Sequence, residues 1–133
     1  MENKLIKINS EISAGELLDK ISILEIKLDK IKSKSSLDEI NKEYKILKEA
    51  RDVNINMAGK ITQLSKEIKN VNLSLWDIED KIRICEKNKN FGKEFIELSR
   101  SVYLNNDKRS KIKLEINKML GSNIREIKQY VNY

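Results

Sequence analysis

The chain has 133 residues, enough for one domain whose core needs neither disulfides nor a structural metal. Cys85 is its only cysteine and it has no histidine, which excludes disulfide frameworks, Cys/His zinc sites and His-dependent triads or general bases. Any acid–base chemistry falls to Asp, Glu, Lys or Tyr. With no proline, four glycines and 36% charged residues, the composition favours long solvent-washed helices and an all-α fold.

The net charge of +6 resembles a nucleic-acid signal, but lysine, isoleucine and asparagine are all used heavily, as AT-rich coding would produce. The excess is local. Residues 105–133 carry seven basic against three acidic side chains, whereas residues 71–104 carry six of each and are neutral. The start, MENKLIKINSE, has no apolar h-region behind its lysines, and no run approaches the roughly 18 apolar residues of a membrane span. The expectation is a cytoplasmic protein with no membrane partner.

Residues 1–12 read as an N-terminal arm. Ser13-Ala-Gly-Glu16 then matches a capping box, in which the Ser hydroxyl and Glu carboxylate satisfy backbone N–H groups of a first turn. Leu17, Ile21, Leu24, Leu28 and Ile31 follow as one stripe, predicting a helix over about 14–33. Ile23 and Ile26 lie off that stripe, so this helix should touch neighbours on two sides. Ser36-Leu-Asp-Glu39 reads as a second capping box, opening a helix over about 36–51 with Leu37, Ile40, Tyr44 and Leu47 on one face. These two helices would form an αα-hairpin.

Asp52–Gly59 loses the helical pattern and reads as a connection. Ile61, Leu64, Ile68, Val71, Leu75, Ile78, Ile82 and Cys85 then keep 3/4 spacing, as in a coiled coil. They predict a helix over about 60–88, roughly 43 Å long at 1.5 Å per residue. Cys85 falls on the seam and reads as a small buried hydrophobe. After a turn at Asn88–Gly92, Phe95, Leu98, Val102, Asn105, Arg109, Ile112, Ile116 and Met119 keep the phase over about 92–120, leaving a tail at 121–133.

Two helices of equal length joined at about residue 90 should form a long antiparallel hairpin. That register sets Asp80 against Arg100, Arg83 against Glu97, Trp76 against Tyr103 and Leu104, and Asn72 near Arg109. The first two helices are too short to cover it, so Ile61, Leu64, Ile112 and Ile116 at its open end need a partner. Self-association into a dimeric four-helix or larger bundle supplies one.

The seam of the last helix carries polar residues where apolar ones belong, in the stretch SVYLNNDKRSKIK (101–113). Asn105, Asn106, Arg109 and Lys113 continue the Phe95–Val102 face. Asn72, Glu79, Arg83 and Glu86 flank the seam of the preceding helix beside Trp76, and Glu25 lies among apolar positions of the first. Buried charges must be paired. Either Glu25, Glu79 and Asp80 neutralise Arg83, Arg100 and Arg109 in a network that fixes register, or the cluster binds a small anionic ligand. In the second case Glu25, Trp76, Glu79, Arg83, Arg100, Tyr103, Asn106, Arg109 and Lys113 would form the site, with arginines as anion forks and the two aromatics as walls. A break at Asn105-Asn-Asp107 with Asp107 as a new cap is the opposite reading, and the unbroken phase argues against it.

Two further classes fit less well. The carboxylates that could hold Mg²⁺ are Glu16-Leu-Leu-Asp19 and Glu79-Asp80; the first has the E-x-x-D spacing of all-α nucleotide pyrophosphohydrolases, but Glu16 is already the capping-box acid and the E-E-x-x-E motif is missing. Lys108, Lys111 and Lys118 share a face that could meet nucleic acid, but Glu115 interrupts it and no nucleic-acid-binding pattern accompanies it. The preferred reading is a non-catalytic, self-associating interaction module with no cofactor, whose partner is a second copy or another protein.

The segments GELLDKISILEIK (15–27), LWDIEDKIRICE (75–86) and FGKEFIELSRSVYLNNDKRSKIKLEIN (91–117) resemble a family of small bacterial proteins known only as a domain of unknown function. These blocks span about half the chain, in the same order; residues 53–60 and the tail depart most. The resemblance implies an independently folding helical domain and supplies no activity.

Overall fold

The computed structural model describes residues 4–133, so the first three residues of the N-terminal arm lie outside it. The fold is all-helical, with α1 at Ala14–Lys30, α2 at Lys34–Asn54, α3 at Lys60–Lys87 and α4 at Lys93–Leu120, and no strand among the described residues. No helix is long and apolar enough to cross a membrane. Residues 4–12 and 124–133 have no regular secondary structure.

Helix α1 is the centre of the packing. It lies against α2, α3 and α4, whereas α2 meets α1 alone. The sequence accounts for this. Leu17, Leu18, Ile21, Leu24 and Ile26 are all buried on α1, an apolar surface too wide for one neighbour. No residue of α2 is fully buried, and only Leu37, Ile40, Tyr44, Leu47 and Ala50, with Arg51 beside them, are half-covered, a one-sided helix.

The first turn of α1 has every backbone donor satisfied. Glu16 N–H donates to Ser13 Oγ at 3.2 Å and Leu17 N–H to the Ser13 carbonyl at 3.1 Å, as the capping box requires. The other two donors find α4 and its C-terminal turn: Gly15 N–H reaches Asn117 Oδ1 at 2.6 Å, and Ala14 N–H reaches Ser122 Oγ at 3.1 Å. Gly121, in left-handed conformation (φ 63°), ends α4 and lets Ser122 N–H turn back to the Asn117 carbonyl at 2.8 Å. One helix end thus builds the cap of another.

That cap sets where α1 lies. Its start sits at the end of α4, beside the start of α3, where Leu18, Ile61, Leu64 and Ile116 form a buried cluster flanked by Ile55, Met57, Ile112 and Leu120. The expected exposed open end is therefore already closed within the chain, and the argument that those residues need a second copy does not hold. Lys60, at the start of α3, reaches Glu115 near the end of α4 at 4.0 Å, while Asn88–Gly92 joins their other ends.

Further expectations change. The second helix begins at Lys34, three residues earlier than a cap at Ser36 implies, and the side chain of its N-cap Ser33 caps no backbone N–H of the first turn. The Ser36–Glu39 box lies inside the helix, because Ile31–Ser33 already completes the turn. Met119 is 49% exposed instead of continuing the seam. Cys85 is buried, as its seam position predicts, and α4 runs unbroken through Asn105–Asp107.

Gly15 permits the close approach of α1 to α4: a Cβ there would stand 2.5 Å from the Lys113 carbonyl oxygen and 2.9 Å from Asn117 Oδ1. Gly15→Ala should lower stability by about 1–3 kcal/mol by forcing the two helices apart. Gly92→Ala, whose Cβ would meet only Asn90 Oδ1 at 3.4 Å, should stay within about 0.5 kcal/mol of the parent. Urea unfolding of both variants checks this, and equal midpoints would contradict it.

Candidate functional site

The buried polar centre forms around Asp19, a residue on the second turn of α1 with no exposed surface. Arg109 of α4 meets it as a fork, Nε to Oδ1 at 2.9 Å and Nη2 to Oδ2 at 2.5 Å. Asn72 of α3 donates through Nδ2 to Asp19 Oδ1 at 2.8 Å and to Ser22 Oγ at 2.7 Å, and Ser22 in turn donates to the Asp19 carbonyl at 2.7 Å. Three helices thereby share one carboxylate. The hydrogen bond to Asp19 raises the Arg109 guanidinium further above its ordinary value, against the burial that opposes its charge.

A second layer surrounds this one. Lys113, one turn beyond Arg109, is almost covered. Its Nζ lies 2.6 Å from Glu16, 3.8 Å from Asp19 Oδ2 and 3.5 Å from Glu126 in the tail. Glu16 therefore turns its carboxylate to Lys113 and, at 3.9 Å, to Lys20, while only its backbone takes part in the cap. The two acids with E-x-x-D spacing thus each face a cation. Among the described residues no group of three or more Cys, Asp or Glu is placed to hold a metal ion.

The residues picked out by sequence divide into three places. Trp76, Glu79, Arg83, Asn106 and Arg109 line one groove of about 550 Å³ between α1, α3 and α4, with Arg83 paired to Glu79 one turn away. Lys113 sits in the adjoining layer. Glu25, Arg100 and Tyr103 are elsewhere. Glu25 lies at the junction of α1, α2 and α3, where Tyr44 donates to it at 3.4 Å and Lys69 stands at 3.6 Å. Burial, then the Glu25 charge, pushes the Tyr44 hydroxyl above its ordinary value.

Arg100 is exposed, its Nε reaching Tyr103 OH at 3.5 Å, and that contact raises its guanidinium. Tyr103 packs edge-on against Tyr133 of the tail, whose hydroxyl bonds to Asp107. Among the described residues no ion pair or hydrogen bond joins Asp80 to Arg100 or Arg83 to Glu97, and Trp76 and Tyr103 form no aromatic pair. Short local partners at i+3 and i+4 capture Arg83, Glu97 and Arg100 instead. Asn72 and Arg109 do meet, through Asp19. On the surface of α4, Lys108, Lys111 and Lys118 are exposed and Glu115 is 4.0 Å from Lys60.

Asp19, which the sequence offers only as a metal ligand beside Glu16, and Asn117, which it does not single out, carry the polar centre and the cap. A signal for Asp19 exists. Gly15, Asp19, Ser22 and Ile26 follow at spacings of 4, 3 and 4, a narrow second stripe of small and polar residues beside the apolar one. A helix that packs on two sides can bury such a stripe.

The fold and its polar centre define a small all-helical domain organised on a buried ion pair. The chain belongs to the Family of unknown function (DUF6165), whose model matches residues 8–132, so the likeness seen in three blocks extends over nearly the whole chain. No curated protein and no solved structure matches it.

Asp19→Leu, which leaves the Arg109 guanidinium without its carboxylate, and Arg109→Met, which strands a buried acid, should each cost about 3–5 kcal/mol. The double variant should lose well under the sum of the two. Chemical denaturation of all three reads this coupling, and strict additivity would show that the pair is not a unit.

The tail provides a pH test. Hydrogen bonding to Lys128 at 2.9 Å, with the Lys113 charge behind it, holds the Glu126 carboxyl below its ordinary value. A depressed carboxyl pKa contributes stability above the unfolded value and loses it as pH falls through the folded one. Carbon-13 NMR should find Glu126 titrating below an ordinary glutamate, and Lys128→Met should move its midpoint up. An unchanged midpoint would refute the contact.

Proposed function

We propose that the chain is a non-catalytic interaction module that self-associates, with α3 and α4 acting as an antiparallel hairpin whose turn end meets a second copy. The observation that carries this reading is the contrast along the seam. Near the start of α3, Ile61, Leu64, Ile68 and Ile116 are buried by α1. Toward the turn, Ile78, Ile82, Phe95, Leu98 and Val102 are only half-covered.

Length supports the same reading. At 1.5 Å per residue, α1 with 17 residues reaches about 25 Å, whereas α3 and α4 with 28 each reach about 42 Å. Beyond α1, Ile84 is 56% exposed, Phe91 50% and Ile96 55%. Two helices alone do not enclose a core, and a four-helix arrangement does.

Charge favours a second copy as the occupant. Residues 71–104 carry six acidic and six basic side chains in a molecule of net charge +6, so like copies can meet there without the repulsion that would oppose contact elsewhere. The Asp19 centre then has a structural role, fixing how α1 crosses α3 and α4 and so how much of the pair stays uncovered.

Light scattering on a sizing column at tens of micromolar, on the order of a usual working concentration, should give about 31 kDa, twice the 15.5 kDa chain. Ile96→Glu should return the monomer mass with the helical circular dichroism intact. A parent protein that stays monomeric at about 100 µM sinks the proposal.

A further inference from the structure

The groove between α1, α3 and α4 has features that self-association does not use. Ile23, Ile26 and Leu75 give it an apolar floor, and Trp76, half-buried, gives it an aromatic side. Its charged rim is mostly matched already. Arg109 is held by Asp19 and Arg83 by Glu79, whereas Asp80 has no ion-pair partner among the described residues. The groove's own lining is balanced, Glu79 and Asp80 against Arg83 and Arg109, but both arginines are already held, which leaves Asp80 as its one unpaired charge. It therefore offers an anion no unmatched positive charge, contrary to the expectation of an anionic ligand.

A second, independent observation lies deeper. Asn72 is 6% exposed, and both of its hydrogen bonds are donated by Nδ2. Its Oδ1 accepts none among the described residues. No fully occluded side-chain polar atom lacks a partner there, so this oxygen retains some accessible surface, in a residue that lines the groove. Asn72, Trp76 and Asp80 follow one another at four-residue steps along α3, with the outer two about 12 Å apart along the axis.

We propose that this groove binds an organic cation: an ammonium or guanidinium on an alkyl stem with a neutral hydrogen-bond donor at the far end. The charge sits on Asp80, the stem lies along Trp76, and the far donor meets the Asn72 carbonyl oxygen. The same chemistry is offered by a free alkyl amine and by a lysine or arginine side chain whose own backbone N–H is the far donor.

Trp76 is the only tryptophan in the chain, so its emission reports on the groove directly. The full chain is titrated with N-acetyl-arginine methylamide, N-acetyl-lysine methylamide and N-acetylputrescine, a free amine with a neutral amide N–H at its far end, and with N-acetyl-glutamate methylamide as the charge-reversed control. The cationic probes should give a saturable change with a dissociation constant on the order of 1 mM, and the glutamate probe none. Asp80 is exposed and unpaired, so Asp80→Asn should fold normally by circular dichroism and bind about fivefold more weakly.

Tighter binding of the acetylated arginine or lysine than of N-acetylputrescine assigns the site to a protein-borne side chain, and the reverse order to a free amine. The proposal is overturned by the absence of a saturable response up to about 10 mM, tenfold above the expected constant. It is equally overturned by an unaltered Asp80→Asn variant or by equal binding of the glutamate probe. Repeating the titration with Ile96→Glu separates this outcome from that of the self-association test.

Discussion

A carboxylate with no exposed surface is stable as an anion only if fixed cations and donors replace its water, and Asp19 imposes that condition on three helices at once. Arg109 supplies the charge, Asn72 a neutral donor, and Ser22 closes the ring onto the Asp19 backbone. Apolar surfaces slide past one another at little cost, but a forked guanidinium and an amide do not. The pair therefore acts as a pin in the crossing of α1 with α3 and α4.

The pin works because the helices come close enough. Gly15 removes the side chain that would separate α1 from the Lys113 carbonyl, and Asn117 uses the resulting proximity to accept the Gly15 N–H. Capping and core packing are thus the same event at this end of the molecule, and Leu18 reaches Ile61, Leu64 and Ile116 as a consequence. Helix α2 stands outside this arrangement. It leans on α1 through half-covered residues and through the Tyr44–Glu25 contact, with no buried side chain of its own.

Placing α1 at one end leaves the other end lightly covered. The polar centre, the groove beside Trp76 and the seam near Phe91 follow one another along α3 and α4, and Cys85 is the one buried side chain of α3 beyond the groove. Charge follows a different order, with most of the basic surplus in the last 29 residues and residues 71–104 neutral. Exposed apolar side chains at Ile84, Phe91 and Ile96 thus lie beyond the groove that holds the unpaired Asp80.

Local patterns determined most of the architecture. The 3/4 spacing from Ile61 to Cys85 and from Phe95 to Ile116, the Ser13 cap and the Gly121 stop depend on neighbours within a turn, so they are legible in one dimension. Trp76, Glu79, Arg83, Asn106 and Arg109 share one groove because they lie at one level of two adjacent helices. Which acid met Arg109, and which end α1 covered, were decided only in three dimensions. A salt bridge joining residues 90 positions apart leaves no trace in the periodicity of either helix, and a glycine that permits close approach looks like any other until its neighbour is present. The sequence specified which faces must be buried; the choice of what buries them depended on distances that exist only once the helices are packed.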